Sequence, residues 1–173
     1  MKVTHQLSRL ESMILDPLHR LDGEDWYRAP AHKWGIAQIV EHCAIGVDVV
    51  GATLERRVDK TTMRRRSKPH QTMFRHLVLG IGRLPSGLPA VRGTEPGERP
   101  DPELVTARFR MGVERLRRLS EDWSPEVQLN RFVVHPLLGD LNLPEWVRFH
   151  YLHCRHHARQ IRDRLAWLSG SGG

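Results

Sequence analysis

Cysteine is nearly missing from this chain. Cys43 and Cys154 are the only two in 173 residues, too few for a disulfide framework. Lysine is scarce as well: of the 27 basic residues, all but Lys2, Lys33, Lys60 and Lys68 are arginine. Aromatic residues make up only 6%, although five tryptophans are among them. No stretch approaches the roughly 20 apolar residues of a transmembrane helix. The N-terminal MKVTHQLSRLESMILDPL alternates polar and apolar residues and lacks the continuous apolar segment of a signal peptide. These shortages exclude a disulfide-stapled secreted scaffold and a membrane protein. The expectation is a cytoplasmic protein whose two thiols are reduced and pack as small core residues.

What remains is globular in character, with 39% hydrophobic and 27% charged residues. The length suits a single domain, expected over 1–168, with SGSGG at 169–173 as a flexible tail. The net charge of +7 is concentrated in Arg64-Arg65-Arg66-Ser67-Lys68, with Arg56 and Arg57 upstream. Such a run can contact phosphates. No aromatics are interleaved with it to stack on bases, so it reads as a solvated loop or helix end, and nucleic acid is not the expected partner.

Apolar periodicity predicts four long helices. The first, from about Val3 to Leu21, carries Leu7, Leu10, Ile14, Leu18 and Leu21, with Pro17 kinking or breaking it. The second, from about Gly35 to Asp59, presents Ile36, Ile39, Val40, Cys43, Val47, Val50 and Leu54. One or two helical turns are expected over Met73–Leu79. From Gly82 to Pro102, five prolines and four glycines forbid regular structure, leaving a lid or a surface excursion. Asp101-Pro102 then caps a third long helix reaching about Leu119. Val127–Phe132 reads as a short strand or an extended loop. The last helix opens at Asn142-Leu143-Pro144-Glu145, a capping-box arrangement, and ends near Leu168. The fold class this predicts is all-α, an up-down four-helix bundle with a long Pro/Gly-rich loop between its second and third long helices.

His150, His153 and His157 fall within about a 60° sector of the last helix, shared with Trp146 and Ile161. That is the stripe an amphipathic helix fills with leucine and isoleucine. Three imidazoles there need partners, because a buried polar nitrogen is costly unless hydrogen-bonded or metal-bound. His153 and His157 stand one turn apart, the spacing with which two imidazoles on a helix chelate a divalent ion. A third ligand is expected from another helix. His42, at the edge of the second helix's apolar stripe with Gly46 leaving room beside it, leads His135 and His150 for that place. The competing reading is that the histidines satisfy one another or a backbone carbonyl in the core. Cys154 stands where a metalloprotease HExxH motif has its glutamate, which excludes that class. Each cysteine follows one of these histidines, so the thiols approach each other if His42 and His153 converge.

The segments Trp34-Gly35-Ile36-Ala37-Gln38-Ile39-Val40-Glu41-His42 and His153-Cys154-Arg155-His156-His157-Ala158-Arg159-Gln160-Ile161 resemble the two signature segments of the DinB-like superfamily of four-helix bundles. His135-Pro136-Leu137-Leu138-Gly139-Asp140-Leu141 followed by Pro144-Glu145-Trp146 is similar to the lead-in of one branch of that superfamily whose function is unassigned. The chain departs from the commoner pattern at Ala158, Arg159 and the Gly82–Pro102 segment. The resemblance implies a three-histidine divalent-metal site with ligands His42, His153 and His157 and open positions for water, while His156 and Gln160 flank it.

Such a centre can lower the pKa of water toward about 7 or activate a thiolate. Members of the superfamily that are understood take the thiol route, transferring low-molecular-weight thiols or isomerising with one as cofactor. The implied function is a metal-dependent enzyme, a thiol S-transferase or a hydrolase, acting on a small molecule. The alternatives are a non-catalytic metal-binding stress-response module and, behind it, a nucleic-acid binder using Arg64–Lys68. Zn, Ni, Fe and Mn all suit the site. No carboxylate in the motif segments is placed as a general base, since Glu41 points about 100° away from His42. A homodimer through exposed helix faces is expected.

Overall fold

The computed structural model describes residues 3–21, 23–56, 65–82, 84 and 90–170. Helix α1 spans Val3–Leu15 and buries Leu7, Leu10 and Ile14 completely. Pro17 breaks it, as a residue without an amide hydrogen must, and Asp16–Leu18 form a separate 3-10 turn. A second 3-10 turn, Gly23–Trp26, leads to α2, Ile36–Glu55. Helix α3, Pro69–Arg75, continues as a π-helical turn over His76–Ile81 and stops at Gly82, whose φ of 75° suits glycine. Helix α4 is Pro102–Asp122, and the Asp101 carboxylate accepts the amides of Glu103 and Leu104 as its N-cap. Helix α6, Leu143–Gly170, starts with the expected reciprocal bonds: Asn142 accepts the Glu145 amide, and Glu145 accepts the Asn142 amide. It includes Ser169 and Gly170, two residues expected in the tail, and 171–173 lie outside the described residues.

Between α4 and α6 the sequence reading needs correction. Pro125–Asn130 is a helix, α5, capped by the Ser124 hydroxyl; the Ser-Pro start signal outweighs the alternation of Val127 and Leu129. The strands lie just beyond it, β1 at Val133–His135 and β2 at Gly139–Leu141, paired antiparallel with His135 opposite Gly139. The Pro136-Leu137-Leu138 turn closes on Gly139, whose φ of 71° disfavours a side chain. A Cβ there would also meet the Ser67 hydroxyl at 2.5 Å.

The long helices α1, α2, α4 and α6 share one core. Helix α1 packs on α4 and α6, and α2 packs on the same two from the other side, so α1 and α2 are diagonal. The expected up-down succession does not hold. Asp48 accepts the Nε of Arg108 at 3.0 Å, and Arg115 reaches both Asp48 and, two turns further on at 3.1 Å, Glu55. Partners therefore advance together along α2 and α4, which run parallel. Helix α6 runs opposite to α2, with Arg164 near Trp34 and His150 near Gly46. Two parallel neighbours need a connection that returns the full length of the first, about 30 Å for 20 residues. The chain between Arg56 and Asp101 makes that return, which about ten extended residues would cover, and so has length to spare for α3 and for residues at the cavity rim.

Helix α2 is, among the described residues, the one helix long and apolar enough to cross a membrane, a feature the search for long apolar runs overlooked. Its apolarity is that of a core helix: Ile36, Ile39, Val40, Ala44, Val47 and Leu54 are fully buried against its neighbours.

Candidate metal centre

The antiparallel contact of α2 and α6 brings His42 against His153 and His157. The Nε2 atoms of His42 and His157 each lie 3.1 Å from Nε2 of His153. His42 and His157 are 6% exposed, and Trp34 and Phe149 close the sides, Phe149 lying almost parallel to His153 with ring centroids 5.5 Å apart.

Proton accounting shows what this cluster wants. His42 Nδ1 is 2.7 Å from the carbonyl oxygen of Thr94, which can only accept, so the proton of the neutral ring is on Nδ1 and Nε2 carries a lone pair. His157 Nδ1 is 2.8 Å from the amide oxygen of Gln160, whose NH2 group turns to His156, and the same assignment follows. Two lone pairs thus face His153 Nε2, which has at most one proton to give. At least one of the 3.1 Å contacts is left without a hydrogen. Burial lowers the pKa of all three rings, that of His157 to about 3, so additional protons do not resolve the conflict. A cation does. Nitrogen ligands about 2.0–2.1 Å from a tetrahedral ion lie a little over 3 Å apart. The outward hydrogen bonds to Thr94 and Gln160 are those that fix tautomer and ring direction around a metal. The residues present fit a divalent ion.

His135 and His150, the other candidates for the third ligand, are not in the cluster. His150 is stacked on Trp146, and both its nitrogens are sealed from solvent without a partner. His135 lies in β1, separated from His153 by the Phe149 ring. The two thiols do converge, as their position after the histidines suggested. Cys43 Sγ, Cys154 Sγ and a ring nitrogen of His153 lie within 4.8 Å of one another. Burial, and then the contact with Cys154, pushes the Cys43 thiol up, so it stays protonated and is a poorer ligand than the imidazoles.

The cluster opens on a cavity of about 700 Å³, walled mainly by apolar side chains of α2, the π-helical turn, the hairpin and α6. Part of its rim comes from residues 90–94 of the Pro/Gly-rich segment. That segment is anchored along α2: Gln38 donates to the Gly97 carbonyl, and Glu41 accepts the Gly97 amide at 2.7 Å. Residues 90–97 are therefore tied to α2 and close to the site. Glu41 is committed to this contact, in keeping with its exclusion as a base.

Among the described residues of the arginine run, Arg65 is turned into the fold, while Arg66 and Lys68 are exposed. Arg65 forms a two-pronged pair with Glu145 at 2.9 and 2.8 Å and lies over Phe132, and the Arg66 amide donates to Asp140. Arg57 and Arg64 lie outside the described residues.

Sequence reasoning missed Thr94, because a backbone carbonyl in an irregular segment leaves no residue-type signature. Gln160 was noted only as a flanking position, although its spacing of three from His157 on one helix face allows the bond.

A bundle whose facing helices supply convergent histidines defines a class of metal-site helical proteins. The sequence pattern of the DinB superfamily matches residues 6–161, and the chain belongs to that family. No curated protein and no solved structure matches the chain.

Proposed function

We propose that His42, His153 and His157 hold a divalent ion, Zn, Ni, Fe or Mn, and that the protein is a metal-dependent enzyme acting on a small molecule in the adjoining cavity. The reading rests on one observation: two imidazoles, each with its proton committed outward, aim lone pairs at His153, His42 from across the α2–α6 contact and His157 from one turn along α6. Bound there, the ion would supply Lewis acidity toward an oxygen or a thiolate sulfur. The chain's own residues do the remainder. Thr94 and Gln160 hold the rings, Trp34 and Phe149 exclude water from their flanks, and the mainly apolar walls, which also include Lys33 and Arg92, receive the body of the molecule.

The thiol S-transferase reaction is the favoured chemistry and hydrolysis the other. A transfer assisted by an activated thiolate needs no carboxylate base, and the cavity contains no Asp or Glu among its described lining residues. The same lack favours a second reading, a non-catalytic metal-binding module. A reducing, cytoplasmic setting suits the two free thiols. A homodimer through α4 belongs to the same proposal: Leu104 and Met111, two turns apart, are 70% and 60% exposed, and light scattering tests it.

The deciding experiment is elemental analysis of untagged protein beside His153→Ala. About one ion per wild-type chain, lost in the variant, is the expected result. No ion in either, even after reconstitution with Zn or Ni, sinks the metal reading. With metal bound, saturable consumption of chlorodinitrobenzene that requires both the ion and a low-molecular-weight thiol separates enzyme from module.

A further inference from the structure

The cavity has a second polar feature that the three-histidine cluster does not use. His135 is 6% exposed, lies in β1 and forms part of the cavity wall. Its Nδ1 accepts two backbone hydrogen bonds, from the amides of Leu137 at 3.1 Å and Leu138 at 3.2 Å. Backbone amides only donate, so this nitrogen carries the lone pair and the proton of the neutral ring is on Nε2. Desolvation pushes the ring's pKa down to about 4, so it is neutral near pH 7. The hairpin turn that creates the arrangement is fixed by Pro136 and by Gly139 with its positive φ. Phe149 at 4.5 Å and Trp146 at 5.4 Å hold the ring plane.

The result is a rigid, uncharged N–H donor with its tautomer set by the main chain. No described residue accepts a hydrogen bond from Nε2, and this atom is not among the sealed, partnerless nitrogens, in contrast to both nitrogens of His150. The donor is thus not sealed off, and an acceptor that arrives with a ligand can take its hydrogen bond. A neutral imidazole whose other nitrogen accepts from backbone amides is a device for polarising a carbonyl without giving up a proton.

We propose that His135 is the substrate-orienting donor of this cavity, its Nε2–H receiving the carbonyl oxygen of an otherwise apolar small molecule. The apolar walls, among them Val49, Val50, Phe74, Val78 and Leu137, take the body of that molecule. One aromatic ring, Phe149, lies against both His135 and His153, and both histidines line the same cavity. The inference shares its cavity with the proposed metal centre but is tested without metal, so failure of either one is distinguishable from failure of the other.

The test uses metal-free protein with ¹⁵N-labelled histidine and two probes of the same shape, acetophenone and α-methylstyrene, in which a CH2 group replaces the carbonyl oxygen. Wild-type protein should show His135 as the Nε2–H tautomer from pH 6 to 8, and acetophenone should shift that proton downfield. His135→Asn keeps an oxygen acceptor for the Leu137 and Leu138 amides and removes the donor at the Nε2 position, which the NH2 group of the shorter side chain does not reach. It should weaken acetophenone about three- to tenfold, the size of one net hydrogen bond, and leave α-methylstyrene within twofold. An Nδ1–H tautomer, no acetophenone binding, or an equal effect of the substitution on both probes would overturn the proposal. If the variant fails to fold, the tautomer and the proton shift in the wild type decide alone.

Discussion

The carbonyl oxygen of Thr94 lies 2.7 Å from Nδ1 of His42, joining residues 52 apart in the chain. Through that contact the irregular segment ahead of α4 sets which nitrogen of a helical histidine faces His153. Gln160 does the same for His157 from within α6. The cluster is thus oriented from two sides, once by main chain and once by side chain, and the two supports are separable by mutation.

Gln160→Leu should leave the helical fold intact, by circular dichroism, and weaken metal binding roughly 10- to 100-fold in competition with a chelator, the usual consequence of losing an orienting partner. An unchanged affinity would show that ring packing alone holds His157.

Acid should destabilise the metal-free protein earlier than carboxylate titration would. Burial holds His135 at about 4 and His150 at about 3. Both rings are neutral in the folded chain and take up protons near pH 6.5 when it unfolds. Their contribution is complete above about pH 6.5 and is lost as pH falls toward the folded values. Each should remove about 1.4 kcal/mol per pH unit inside that window. Urea unfolding at pH 7.5, 6 and 5 measures the slope, and His150→Phe, which stays uncharged in both states, should make it shallower.

At Gly112 the backbones of α2 and α4 come close together. A Cβ at this position would stand 3.0 Å from the Asp48 nitrogen and 3.1 Å from its Cα, both backbone atoms. Gly112→Ala should therefore lower stability by about 1–3 kcal/mol, although alanine is the better helix former. Gly46→Ala, whose new methyl would meet only His150 Cε1 at 3.7 Å, should be neutral or stabilising. Thermal melts of the two variants side by side provide the comparison.

Cys43 and Cys154 should resist iodoacetamide in the native protein at pH 8 and react at once in denaturant, because both are buried and the Cys43 thiol is pushed up. Rapid labelling of the folded chain would contradict the packing described above.

Much of this architecture was written in local chemistry. The Asp101 cap, the Asn142–Glu145 capping box and the break at Pro17 follow from which backbone groups lack partners at a helix end, a matter of a few adjacent residues. The candidate set His42, His153 and His157 was legible for a similar reason: a turn of helix places His157 over His153, and imidazoles on an apolar stripe demand a partner. Other local signals conflicted. Val127 and Leu129 alternate as a strand does, yet Ser124-Pro125 starts a helix there, and the alternation is used up within α5.

Local sequence signals sufficed for the four long helices, for the caps at Asp101 and Asn142 and for a short set of candidate metal ligands, because each depends on residues within a few positions of one another. Only the tertiary structure decided that α2 and α4 run parallel, that Thr94 reaches His42, that Cys43 meets Cys154, and that His135 and His150 line the cavity outside the cluster. Those relationships join segments far apart in sequence, and their energies depend on burial and on which donor faces which acceptor. Neither exists until the helices pack.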